Sequence, residues 1–162
     1  MHRNVSKDKR FLEIKRLLGE LERDYKISGE EILDISEEII VPVGLFNSGL
    51  SSFEVIVKYL IEEKGKSLSI IAKLTNRSKQ GVWQAYSHAK KKYHKKIITE
   101  SSIYDFPLSI ISDKQFSVLE SIVKFLREEH NLQYSKIASV ISRDQRTIWT
   151  VYERARGKLR HK

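Results

Sequence analysis

Apolar residues recur at helical spacing along most of this chain, and they do so twice. Phe53, Ile56, Val57 and Leu60 follow an i, i+3, i+4, i+7 pattern that puts them on one stripe of a helix. Sixty-six residues later Leu119, Ile122, Val123 and Leu126 repeat the stripe. A short second helix follows in each case, with Leu68, Ile71, Ala72 and Thr75 matched by Tyr134, Ile137, Ala138 and Ile141. A third begins at Ser78 or Asp144, both good N-caps, and turns Val82, Ala85, Tyr86 and Ala89, or Ile148, Val151, Tyr152 and Ala155, toward a core. Where the copies differ in polarity, as at Val55/Ser121 and Ile61/Arg127, the pattern predicts outward-facing positions.

The shift of 66 residues lays Leu50–Tyr93 over Phe116–Leu159 without a gap, with 16 of 44 positions identical. Upstream, PVGLFNS and PLSIISD correspond at a shift of 65. Two copies are too few for a solenoid, so the expectation is two independent small domains. Ahead of them Phe11, Ile14, Leu18, Leu21 and Tyr25 fall at 3-4-3-4 spacing, the seam of a short coiled coil or helix pair, although Gly19 weakens that helix. SGEEILDISEEII then opens a second helix, with Ser28 and Glu31 spaced as a capping box. The predicted fold is all-α: an N-terminal helical arm over residues 1–40, then one three-helix unit over 41–97 and another over 98–162.

Composition narrows the partners. The chain has 162 residues and no Cys, so disulfides and cysteine-based zinc sites are ruled out, which fits a reducing cytoplasm. No apolar run approaches the roughly 18 residues a membrane span needs, and no membrane partner is expected. The net charge of +9 is uneven. Residues 1–40 hold 8 basic against 10 acidic side chains, residues 41–97 hold 11 against 3, and residues 98–162 hold 11 against 8. A near-neutral arm ahead of a basic two-thirds favours a polyanion such as nucleic acid. The acidic face of the arm points instead to protein, either a second copy in a homodimer or the first unit's own core.

The spacing within each unit is specific. Ala72 precedes Val82 by ten residues and Ala85 by thirteen across the polar break Asn76-Arg77; Ala138, Ile148 and Val151 repeat it across Ser142-Arg143. A small Ala lets the second and third helices cross closely. With the phrases LSSFEVIVKYL, FSVLESIVKFL and IAKLTNRSKQGVWQAYSHAKKK, each unit resembles the helix-turn-helix of region 4 of bacterial sigma factors and of response-regulator effector domains. The resemblance covers about half the chain and nothing else of a sigma factor. The turn position often held by Gly in that motif is Asn76 in one copy and Ser142 in the other. Ser enters the left-handed region less readily, so the second turn is expected to differ in geometry.

The resemblance implies that the exposed N-terminal half of the third helix enters the major groove of duplex DNA. Carried over by position, the reading residues are Ser78, Lys79, Gln80, Trp83, Gln84 and Ser87 in the first unit. In the second they are Asp144, Gln145, Arg146, Trp149, Thr150 and Glu153. Gln suits adenine edges, Arg suits guanine, and Thr can meet a thymine methyl. The core positions agree between copies while these mostly do not, which implies two dissimilar half-sites. Trp83 and Trp149 sit one step off the core stripe. The expectation is that each covers the flank of its own core or the other unit, with the groove edge as the alternative. The Tyr86 and Tyr152 hydroxyls suit either an internal hydrogen bond or a phosphate. Lys90, Lys91, Arg154 and Arg156, in the basic tails AKKKYHKK and RARGKLRHK, are placed to touch phosphates.

These observations lead to a sequence-recognising DNA-binding protein, a transcriptional regulator, cytoplasmic and associated with the nucleoid. An architectural DNA-binding protein and an adaptor docking on RNA polymerase are the alternatives. No enzyme, metal or cofactor is expected. His2, His88, His94, His130 and His161 have no metal-ligand spacing with carboxylates, no Gly-rich phosphate loop occurs, and Ser87-His88 lacks an orienting acid.

Overall fold

A computed structural model describes residues 5–160, which fall in two compact units, Met1–Glu37 and Glu38–Lys162. His2, His161 and the last residues of the second basic tail lie outside the described residues. Apart from two strands of two residues each, the regular structure described is helical, so the class is all-α as the hydrophobic spacing predicts.

The first unit is a helical hairpin. Helix α1 (Lys9–Tyr25) starts at Asp8, whose carboxylate accepts the Arg10 N–H, and Lys26 ends it in the left-handed region at φ 53°. Helix α2 (Gly29–Ser36) opens with the predicted capping box, Ser28 and Glu31 each bonding the other's backbone. Glu22 of α1 accepts the Gly29 N–H at 2.6 Å, which sets the turn between the two helices. Neither helix buries a residue, and Phe11, Ile14, Leu21 and Tyr25 of the seam are exposed.

The second unit holds both copies of the repeat. The first runs β1 (Ile40–Val41), a 3-10 turn over Val43–Ser48, α3 (Ser52–Glu62), α4 (Leu68–Leu74) and α5 (Lys79–Lys92). The second runs β2 (Phe106–Pro107), a 3-10 turn over Leu108–Ile111, α6 (Val118–Glu128), α7 (Tyr134–Val140) and α8 (Gln145–Arg160). Ser51 and Ser117 cap α3 and α6 with capping boxes closed by Glu54 and Glu120. The apolar stripes meet as expected: Ile56, Val57, Leu60, Ile71, Val82 and Ala89 are buried, and so are Ile122, Val123, Leu126, Ile137, Ile148 and Ala155.

Three expectations change. The copies are not independent domains, because one hydrophobic core runs through both. Strands β1 and β2 pair antiparallel, Phe46 stacks on Phe106 at 6.2 Å between centroids, and α3 lies against α6. That contact explains the second change. Val55 and Ser121 are buried rather than outward-facing, because α3 and α6 each pack on more than one side. A comparison of copies separates surface from core only when each copy has a single buried face. Third, the second turn has the geometry of the first: Asn76 and Ser142 have φ of 52° and 50°. Arg77 N–H bonds the Ala72 carbonyl and Arg143 N–H the Ala138 carbonyl, both at 2.9 Å, the six-to-one closure of a left-handed helix cap. Ser142 accepts a conformation that costs roughly 1–2 kcal/mol for an L residue. Its hydroxyl donates to the Asn47 side chain, a bond made in that conformation.

Candidate nucleic-acid interface

Helices α5 and α8 are held in the same way by the same residues. Lys92, in the last turn of α5, donates to Glu54 at 2.8 and 3.1 Å, and its counterpart Lys158 donates to Glu120 at 2.6 Å. Each bond ties the end of a third helix to the first turn of the first helix. Burial works to raise the Glu54 and Glu120 carboxyls, but bonds from the lysines and from the Ser51 and Ser117 backbone and hydroxyls outweigh it. Both carboxyls are held below the usual range. Tyr86 donates to Glu62 and Tyr152 to Glu128, each at 3.3 Å, and Lys58 and Lys124 complete the two clusters. The Tyr hydroxyls therefore make internal hydrogen bonds. Burial, then the neighbouring carboxylates, raise both phenols above their ordinary pKa.

With one side of α5 and α8 anchored, the other is open. Lys79, Gln80, Gln84, Lys90 and Lys91 are exposed on α5, and Gln145, Arg146 and Arg154 on α8. Trp83 is 55 % exposed and Trp149 53 %. This corrects the expectation that they cover a core: a step of one residue from the buried Val82 or Ile148 swings the indole away from α3 or α6. Two large indoles left half in water at equivalent positions form matching apolar patches on otherwise polar faces.

Several residues proposed as readers have local work as well. Ser78 is exposed, but its hydroxyl accepts the Gly81 N–H at 3.0 Å as the α5 cap. Asp144 accepts the Arg146 and Thr147 N–H groups at 2.9 and 3.3 Å at the start of α8. Thr150 donates to the Arg146 carbonyl at 2.9 Å, and Glu153 holds Arg156 at 2.9 Å. Ser87, Thr150, Glu153 and Arg156 are half-buried. A depression of about 320 Å³ lined by Asp144, Arg146, Thr147, Thr150, Val151 and Arg154 runs along the start of α8.

Arg77 and Arg143, identical in the repeat, stand just ahead of α5 and α8, although the spacing argument used them only to mark the polar break between helices. Each precedes the cap of a third helix, and both line one groove of about 460 Å³ with Ser51, Ser52, Phe53, Ser117, Val118 and Leu119. Arg143 Nη2 donates to the Leu50 carbonyl at 2.9 Å, whereas Arg77 stacks on Phe53 and its buried Nε has no hydrogen-bond partner. Their position immediately ahead of the cap, the same in both copies, was the available signal.

Among the described residues no group of His, Asp or Glu side chains could hold a metal ion, and no helix is long and apolar enough to cross a membrane. No protein-family model, curated protein or solved structure matches this chain.

Proposed function

We propose that this protein binds duplex DNA through the open faces of α5 and α8, each with its two preceding helices acting as a helix-turn-helix, and that it serves as a sequence-recognising transcriptional regulator. The observation that carries this reading is the pair of anchored helices with equivalent open faces. Their core sides stay apolar at every buried position, with Val82/Ile148, Ala85/Val151 and Ala89/Ala155 in correspondence, while Lys79/Gln145, Gln80/Arg146 and Gln84/Thr150 differ in chemistry where they are exposed or half-exposed. A surface kept only for solubility has no need of two exposed Trp at equivalent positions. The charge of residues 41–97, 11 basic against 3 acidic, supports a polyanion as partner. Self-association through α1 is the second element of the proposal, supported by the exposed Phe11, Ile14, Leu21 and Tyr25. Sedimentation of the full chain across concentrations tests it, and a monomer at DNA-binding concentrations removes it.

Arg146 tests the reading of bases. Its side chain is exposed, so Arg146→Ala leaves thermal stability within about 0.5 kcal/mol of wild type. Loss of a bidentate guanine contact costs ~1–3 kcal/mol and relaxes preference at one base pair. Affinities across a library of mutated sites measure this. Uniform weakening over all sequences would replace the regulator with the architectural reading, and salt-insensitive binding or none would favour the polymerase-docking adaptor.

A further inference from the structure

A tandem repeat along the chain leaves the arrangement of its copies in space undetermined. Copies related by translation meet through unlike surfaces, and their third helices face a duplex in the same sense. Copies related by a two-fold axis meet reciprocally, so that residue i of one touches residue j of the other and j touches i.

The contacts here are reciprocal. Val41 pairs with Phe106, its own counterpart at the 65-residue shift, in an antiparallel ladder. Asn76 donates to the Ser112 carbonyl at 3.3 Å, and Ser142, the counterpart of Asn76, donates to Asn47, the counterpart of Ser112. Helix α3 packs on its counterpart α6. The 460 Å³ groove is lined by four counterpart pairs: Ser51/Ser117, Ser52/Val118, Phe53/Leu119 and Arg77/Arg143. The second unit is a two-fold pseudodimer of its two copies. Because Arg77 and Arg143 both reach this groove, α5 and α8 start on either side of the axis.

We infer that the DNA target is an inverted repeat with two unlike arms, both read by one chain on one duplex. This rests on the DNA-binding reading above. B-DNA has two-fold axes perpendicular to its length, and a protein whose reading helices share such an axis meets the strands in opposite senses. A direct repeat would need one copy turned end over end, which the shared core and the β1–β2 ladder forbid. The same core makes the spacing between arms a single value rather than a range.

Unlike arms conceal their orientation, so the test makes them alike. Ser78→Asp, Lys79→Gln, Gln80→Arg, Gln84→Thr and Ser87→Glu, made together in the full-length protein, give α5 the reading residues of α8. Sites are then selected from random duplex DNA with wild type and with this variant. Wild type should enrich two unlike elements, and the variant one element twice, inverted and at the same spacing. Placing those two elements in direct orientation should drop affinity to that of a single arm, roughly 10²- to 10⁴-fold. The opposite transplant, with the five α5 residues placed on α8, gives the same decision if the first variant melts early. Enrichment of a direct repeat, or of a single element, overturns the inference while leaving DNA binding intact. If wild type enriches nothing, the DNA reading falls and the inference with it.

Discussion

Lys91 and Lys92 are neighbours in a run of three lysines, and the structure gives them opposite roles. Lys91 is exposed at the end of α5, whereas Lys92 reaches across to Glu54, which is 9 % exposed at its side chain. Lys92→Met keeps the length of the aliphatic stem and removes the charge. Charge-assisted hydrogen bonds contribute about 1.5–3 kcal/mol. Because Lys92 is itself more than half exposed, solvent screening lowers the expected loss to about 1–2 kcal/mol. Urea unfolding at pH 7 reads that loss. The Glu54 pKa is depressed in the folded state, so its stabilisation is fully present above the unfolded value of about 4.3 and disappears as pH falls through the folded value. The difference between Lys92→Met and wild type should therefore shrink below about pH 4. In DNA titrations Lys92→Met should leave the salt slope unchanged. Lys91→Ala should lower that slope by about 0.9 without loss of stability. Equal salt slopes for the two variants, or a stability loss independent of pH, would refute this division of labour.

Two glycines with open space where an alanine methyl would stand should respond to alanine with opposite signs. Gly157→Ala, inside α8, should stabilise by up to about 1 kcal/mol through helix propensity, and Gly65→Ala, at φ 62°, should destabilise by roughly 1–2 kcal/mol; thermal melts of both decide it. Removal of residues 1–37 should leave the remaining unit with unchanged unfolding behaviour. Removal of residues 1–40 should lower its midpoint, because it also deletes the buried Ile39, whose carbonyl holds Leu108 N–H at 2.8 Å, and one of the two residues of β1.

The hydrophobic spacing was sufficient to place the three helices of each copy, because each buries an apolar stripe against the same neighbours in both copies. The caps at Ser28 and Ser78 were legible for a local reason: a hydroxyl three residues ahead of an unbonded N–H needs no distant partner. The duplication was legible too, and with it the division of α5 and α8 into agreeing core positions and differing open ones. What only the tertiary structure decided lies between the copies. Burial of Val55 and Ser121, the left-handed Ser142 and the reciprocal bonds of Asn76 and Ser142 all depend on a partner surface far away in sequence. The exposure of Trp83 and Trp149 belongs with them: an indole one step off an apolar stripe has room to pack or to point away, and the choice falls to whether a second surface comes near enough to cover it. Periodicity records which face of a helix is buried against its nearest neighbours, but it carries no record of a symmetry axis.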